Sequence, residues 1–185
     1  MKTVIIENVK FLPGVAKSFN DLTWVLRARS DDDTRKNLNF LEVKAGRCTC
    51  TDGVRLHTMQ MNPDSLPLDQ IPTDGLWEVV KTDKKTIVLR ESAEGCQYPD
   101  WERTIPTLIA EREAEISMGG EANPKGNLFR NVYRILDESE TMNFNFVNDM
   151  FLDGDSWTVK FYEVHAPIAF ENGNKKGVIM PMRII

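Results

Sequence analysis

His57 and His165 are the chain's imidazoles, and Cys48, Cys50 and Cys96 its thiols. These residue types serve as general bases, nucleophiles and soft metal ligands. Their spacing assembles none of those sites. The histidines lie far apart in sequence, and neither has an evident nucleophile as its partner. No glycine-rich phosphate loop, Gly-x-Ser-x-Gly elbow or His-Glu-x-x-His pattern occurs. Cys48 and Cys50 would share one face of a strand; without further ligands at metal-site spacing they read as free thiols of a reducing compartment. Asp31, Asp32 and Asp33 read as a solvated loop. Carboxylates are plentiful, but nothing nominates one for acid–base work. The expectation is a protein that is not an enzyme and uses no metal or cofactor.

Binding chemistry is better represented. Lys17, Asn20, Trp24 and Arg27 recur with helical spacing on one face of a segment whose other face carries Val15, Phe19, Leu22 and Leu26. Asn127, Arg130, Asn131 and Arg134 form a similar face opposite Leu128, Val132, Ile135 and Leu136. Neither basic face includes an acid, although the net charge is −5. Lys, Arg and Asn on a helix face suit phosphate oxygens and carry no base readout. The alternative is an ordinary solvated face.

A third feature is Val178-Ile179-Met180-Pro181-Met182-Arg183-Ile184-Ile185. Pro181 has no N–H, so a strand here should lie at an edge or stop at the proline. The flanking methionines suit a surface that adapts to apolar partners. A final core strand is the competing reading.

The elements that must position these residues follow from periodicity and breakers. The length of 185 residues suits one domain with a substantial core. No run approaches a membrane span, and Met1-Lys2-Thr3 opens without a leader pattern, so a cytoplasmic protein is expected. Residues 2–9 read as a strand, Pro13-Gly14 breaks it, and a helix follows. Residues 38–44 and 47–61 read as a hairpin turning at Ala45-Gly46. Pro63, Pro67 and Pro72 mark a connector. A second hairpin spans 76–81 and 86–90. Residues 95–106 are irregular. The opening pattern then returns: a strand at 115–118, a break at Gly119-Gly120, a helix starting at Asn123-Pro124, and strands at 142–147, 157–163, 167–171 and 177–183. Alternation in Met142, Phe144 and Phe146 supports the first of these. The expected fold is α+β, with two strand–helix–strands repeats and antiparallel sheet, in one domain over 1–185. The first repeat is 1–61, the connector, hairpin and irregular segment are 62–106, and the second repeat is 107–185.

Three short segments then resemble one family. Thr51-Asp52-Gly53-Val54-Arg55-Leu56 resembles Thr-Asp-Gly-His-Arg-Leu of the bacterial DNA polymerase III beta subunit, the sliding clamp. Tyr98-Pro99-Asp100-Trp101-Glu102-Arg103-Thr104-Ile105-Pro106 is similar to its Phe-Pro-Asp-Tyr-Arg-Arg-Val-Leu-Pro segment. Residues 178–184 are similar to its carboxyl end, Val-Val-Met-Pro-Met-Arg-Leu. All three stand in the family's order. Val54 replaces a histidine, and Glu102 an arginine. The chain resembles a condensed clamp that keeps these segments and loses much between them.

The resemblance implies a DNA-clamp architecture and a processivity factor. Such a protein binds duplex DNA without sequence preference and tethers DNA polymerase or other replication and repair proteins through a short peptide. The implied peptide pocket would use Thr51, Gly53, Arg55, Leu56, Pro99, Arg103, Thr104, Val178, Met180, Pro181, Met182, Arg183 and Ile184. Lys17, Asn20, Arg27, Asn127, Arg130, Asn131 and Arg134 would face DNA. A homo-oligomeric ring of copies joined edge to edge is expected. The rival is an open, monomeric clamp-like adaptor or competitor that captures the same peptides without encircling DNA.

Overall fold

The computed structural model describes residues 1–9, 12–93, 95–117, 132, 136, 142–151, 156–163 and 165–181. Its contacts group into two compact units, 1–53 with 57–99, and 54–56 with 100–185. Both units are built on antiparallel sheet. Among the described residues no helix is long and apolar enough to cross a membrane.

In the first unit, β1 (Thr3–Glu7) leads to α1 (Pro13–Leu26). Pro13 occupies the first turn, where a missing N–H costs nothing. The strands β2 (Phe40–Lys44), β3 (Arg47–Thr51), β4 (Arg55–Gln60, in this unit from His57 on), β5 (Gly75–Thr82) and β6 (Thr86–Glu91) follow. Their order is β1-β6-β5-β2-β3-β4. The hairpin β5–β6 thus lies between β1 and β2. The predicted turn between β2 and β3 is present: Ala45 and Gly46 have φ of 50° and 72°, both left-handed, as a two-residue hairpin turn requires. The segment expected as one strand over 47–61 is two strands. The chain breaks at Asp52-Gly53-Val54, where Gly53 has φ +89° and its N–H donates to Thr51 Oγ1 at 3.0 Å.

The apolar face of α1 is buried through Phe19, Leu22, Val25 and Leu26. Trp24, expected on the outer face, is also buried. Its ring stacks on His57 with centroids 4.4 Å apart, and its carbonyl lies 2.8 Å from His57 Nδ1. The bulk of an indole outweighed its nominal place on the polar arc. His57 is accordingly a core residue.

The β5–β6 turn is closed by Asp83. Its carboxylate meets Lys81 Nζ at 2.7 Å and accepts the Lys85 and Thr86 amides at 2.8 Å each. The hydrogen bond from Lys81, then those amides, lower its carboxyl from the usual 3.8 to about 2. A folded value below the unfolded one means this contribution is complete above the unfolded pKa and is lost as pH falls from about 4 through about 2. A carboxyl-detected NMR titration is expected to place Asp83 at about 2. A midpoint in the ordinary carboxylate range would show that this carboxylate does not close the turn.

In the second unit, β7 (Arg112–Ser117), β8 (Ser156–Phe161), β9 (Ile168–Asn172) and β10 (Lys175–Ile179) pair in the order β10-β9-β8-β7. Val54–Leu56 joins them beside β10, where the Met180 N–H donates to the Val54 carbonyl at 2.9 Å. The core holds Ile116, Trp157, Val159, Phe161, Phe170 and Ile179. The strand expected at 142–147 is instead the start of a helix, α2 (Phe144–Met150). Asn143 caps it, accepting the Asn145 N–H at 3.0 Å. Val147 and Met150, three apart, are its buried pair, while Phe144 is exposed. Capping and the i, i+3 pair outweighed the aromatic alternation. Most of the helix expected after Asn123 lies outside the described residues. Within that stretch Val132 is buried, and the Leu136 N–H donates to the Val132 carbonyl.

Candidate functional site

In the second unit, residues 54–56 and the end of β10 form one edge. Leu56 and Val178 are buried there, at 3% and 2% exposure. They back the edge. Its apolar surface comes from Val54, 41% exposed, and Met180, 38% exposed, joined by their backbone hydrogen bond. Pro181 follows, half-buried, and β10 ends at Ile179, in keeping with a proline that cannot donate to a ladder. From sequence, Val54 stands out only as a departure from the family pattern. Its exposure beside Met180 makes it a candidate contact, and no sequence signal distinguished an exposed valine from a buried one. Met182, Arg183 and Ile184 lie outside the described residues.

Arg55 leaves this edge toward α2. It forms an ion pair with Asp149, and its guanidinium carbon sits 4.6 Å from the Phe146 ring centroid. The Met150 side chain, next to Asp149 on the helix, occupies the space that a side chain at Gly177 would need.

Arg103 and Thr104 lie elsewhere in the second unit, at a cavity of about 700 Å³. Residues 100 and 102–108 wall it on one side, and Tyr162, Glu163, Ala166 and Pro167 on the other. Arg103 is paired with Asp100 at 2.7 Å, and Thr104 Oγ1 donates to the Trp101 carbonyl at 2.7 Å. Burial pushes the Tyr162 hydroxyl up, so it stays a neutral donor in this wall. Leu108 is exposed at the rim. Its lining mixes apolar surface at Ile105, Pro106, Leu108 and Pro167 with charge at Arg103 and Glu163.

In the first unit, Thr51 is buried and Gly53 exposed, and the hydrogen bond between them fixes the turn. A Cβ at Gly53 would lie 3.1 Å from Arg35 Nη1. Pro99 is half-buried after Tyr98, whose hydroxyl donates to the Thr49 carbonyl at 3.4 Å. Burial raises the Tyr98 hydroxyl well above its usual range. On α1, Lys17 and Asn20 are exposed, as is Arg27 just beyond its last residue. Asp21, next to that face in sequence, is buried. Asn127, Arg130, Asn131 and Arg134 lie outside the described residues.

Cys48, Cys50 and Cys96 are free thiols. Burial pushes Cys48 up to about 12 and Cys50 well above its usual value. A thiol reagent at about pH 8 is therefore expected to add once per native chain, at half-buried Cys96, and three times after denaturation. Intact mass reads the result, and rapid native labelling of Cys48 would contradict this burial. Among the described residues, no group of three or more His, Cys, Asp or Glu is placed to hold a metal ion.

No protein-family model matches the chain, and no curated protein matches it. Solved structures do. The DNA polymerase sliding clamp of Bacillus subtilis is similar with a TM-score of 0.59 and 15% identity, covering 99% of this chain and 64% of the clamp. The sliding clamp of Pseudomonas aeruginosa gives 0.60 and 16% over 99% of this chain and 67% of its own. The Bartonella birtlesii clamp, solved bound to griselimycin, gives 0.57 and 17% over 99% and 66%. The chain thus spans about two thirds of these clamps. The likeness shows the fold: antiparallel sheet with helices in the sliding-clamp arrangement, as the three motifs predict.

Proposed function

We propose that the chain is a clamp-type processivity factor. It binds duplex DNA without sequence preference and tethers a replication or repair enzyme that inserts a short peptide. The observation that supports this most is the edge of the second unit. There the two motif segments 51–56 and 178–184 contribute adjacent apolar residues, Val54 and Met180, within a chain of sliding-clamp fold. Peptide anchors would cover those side chains, and Arg55 beside them would meet acidic or polar peptide groups. No covalent bond is made or broken. Function is retention, by phosphate contacts and by a ring of copies joined at sheet edges, in the cytoplasm. β1 and β7 each stand at one end of their unit's strand order and would supply those edges.

The test of DNA binding uses Lys17, Arg27, Arg130 and Arg134, the proposed phosphate contacts. Replacing Arg130 and Arg134 with Ala, or Lys17 and Arg27 with Ala, should weaken binding equally for unrelated duplexes. Each lost contact should flatten the log–log salt dependence by roughly one unit. Fluorescence anisotropy across a salt series reads this. A wild type without salt-sensitive duplex affinity, as monomer or oligomer, would transfer the function to the open adaptor.

A further inference from the structure

The Arg55 side chain is already occupied. It is 12% exposed, and its partner Asp149 is 36% exposed. The guanidinium offers two recognition surfaces, a fork of N–H donors and a planar face. Here one Nη meets the Asp149 carboxylate, and the plane lies over Phe146. Asp149 and Phe146 are three residues apart on α2 and so share a face of that helix. The helix has seven residues, too few to be stable by its own hydrogen bonds. Its position rests on the Asn143 cap, the buried Val147 and Met150, and the grip on Arg55.

We propose that α2 carries an internal stand-in for the partner: Asp149 and Phe146 hold Arg55 closed, and a peptide with an acidic residue beside its apolar anchors binds by displacing the Asp149 carboxylate from the guanidinium. This rests on the peptide-binding reading above and adds a built-in competitor to it. The consequence is selectivity. An acidic peptide exchanges one carboxylate for another at Arg55, whereas a neutral one leaves the internal pair intact and gains nothing there. Weakening the internal pair therefore helps acidic peptides and leaves neutral ones alone. If the pair merely docks α2 on the sheet, its loss would lower stability and affect both peptides alike.

The experiment is a titration of two peptides with leucine and phenylalanine anchors, one with Asp and one with Asn beside them. Each is titrated into the wild-type chain and into Asp149→Asn, which preserves shape and removes the charge. Asp149→Asn is expected to bind the Asp peptide about fivefold tighter, the scale of a partly exposed ion pair, and the Asn peptide within about twofold of wild type. Arg55→Gln, which removes the positive charge, should erase the difference between the peptides. Thermal melts check folding. Should Asp149→Asn not fold, the Arg55 Nε–Hε NMR signal of the wild type decides: it is expected to shift with the Asp peptide and stay in place with the Asn peptide. Equal or weaker binding of the Asp peptide by a folded Asp149→Asn, or an Arg55 signal that moves equally with both, overturns the inference while peptide binding itself stands. A wild type and an Asp149→Asn that both bind neither peptide would refute the peptide-binding reading, and the inference with it. Binding by Asp149→Asn alone would be the strongest support for it.

Discussion

Leu56→Ala is expected to destabilise the chain by about 2–5 kcal/mol, the range for deleting a buried leucine side chain. Leu56 is 3% exposed, and its carbonyl lies 3.6 Å from where a Cβ on Gly177 would stand, so it lies where the strands pack closely. The cost combines lost burial with a cavity that neighbouring backbone cannot collapse to fill. Denaturant unfolding with an unchanged m-value reads it. The contrast is Met180→Ala. Met180 is 38% exposed, and its strand contact runs through the backbone N–H, which alanine keeps. That change should cost about 0.5 kcal/mol or less. If both substitutions lowered stability equally, Met180 would be a core residue and the exposed edge would disappear.

The second large effect is expected at Gly177. The glycine is buried on β10, and an added methyl group would overlap the sulfur and terminal methyl of Met150. A methionine end is flexible, and on a surface it would simply turn away. Met150 is 0% exposed, however, so its displacement must push other packed atoms. Gly177→Ala should therefore cost about 1–3 kcal/mol, the usual range for overpacking. Met150→Ala alone should also destabilise. Combined, the two should be less damaging than their sum, because each supplies the space the other needs. Additive losses would place the strain at Gly177 in the strand backbone and not at Met150.

Much of this architecture was legible because local chemistry and tertiary packing agree. Ala45-Gly46 demanded a left-handed turn and made one. Pro181 could not extend a ladder, and β10 ends two residues before it. The strands of both hairpins carried enough β-branched and apolar residues to be found. Where local pattern and packing competed, the sequence misled. Met142, Phe144 and Phe146 alternate like a strand, but Asn143 supplies a helix cap and Val147 with Met150 supplies the buried pair. Trp24 sits on the polar arc of α1 by spacing, yet its size drew it into the core against His57. The break inside 47–61 was written in Thr51-Asp52-Gly53, a turn sequence that a run of strand formers on both sides obscured.

The candidate site was legible as segments and not as surfaces. Motif matching named Leu56 and Val178 beside Met180 without saying which would be covered. That depends on pairing between residues more than a hundred positions apart, as the Met180–Val54 hydrogen bond shows. The grip of Asp149 and Phe146 on Arg55 is equally non-local, since α2 itself was misread as a strand.

The account stands or falls on whether the edge at Val54 and Met180 receives a peptide. The direct measurement is calorimetric titration of a peptide with leucine and phenylalanine anchors into the wild type and Met180→Ala, with thermal melts of both. The account predicts saturable binding by the wild type. Met180→Ala should then weaken it by on the order of 1–2 kcal/mol, roughly tenfold, with little change in melting temperature. A wild type and an Asp149→Asn, both well folded, that bind no such peptide, or a Met180→Ala chain that binds it unchanged, would contradict the account and leave a sliding-clamp fold without the clamp's means of holding a partner.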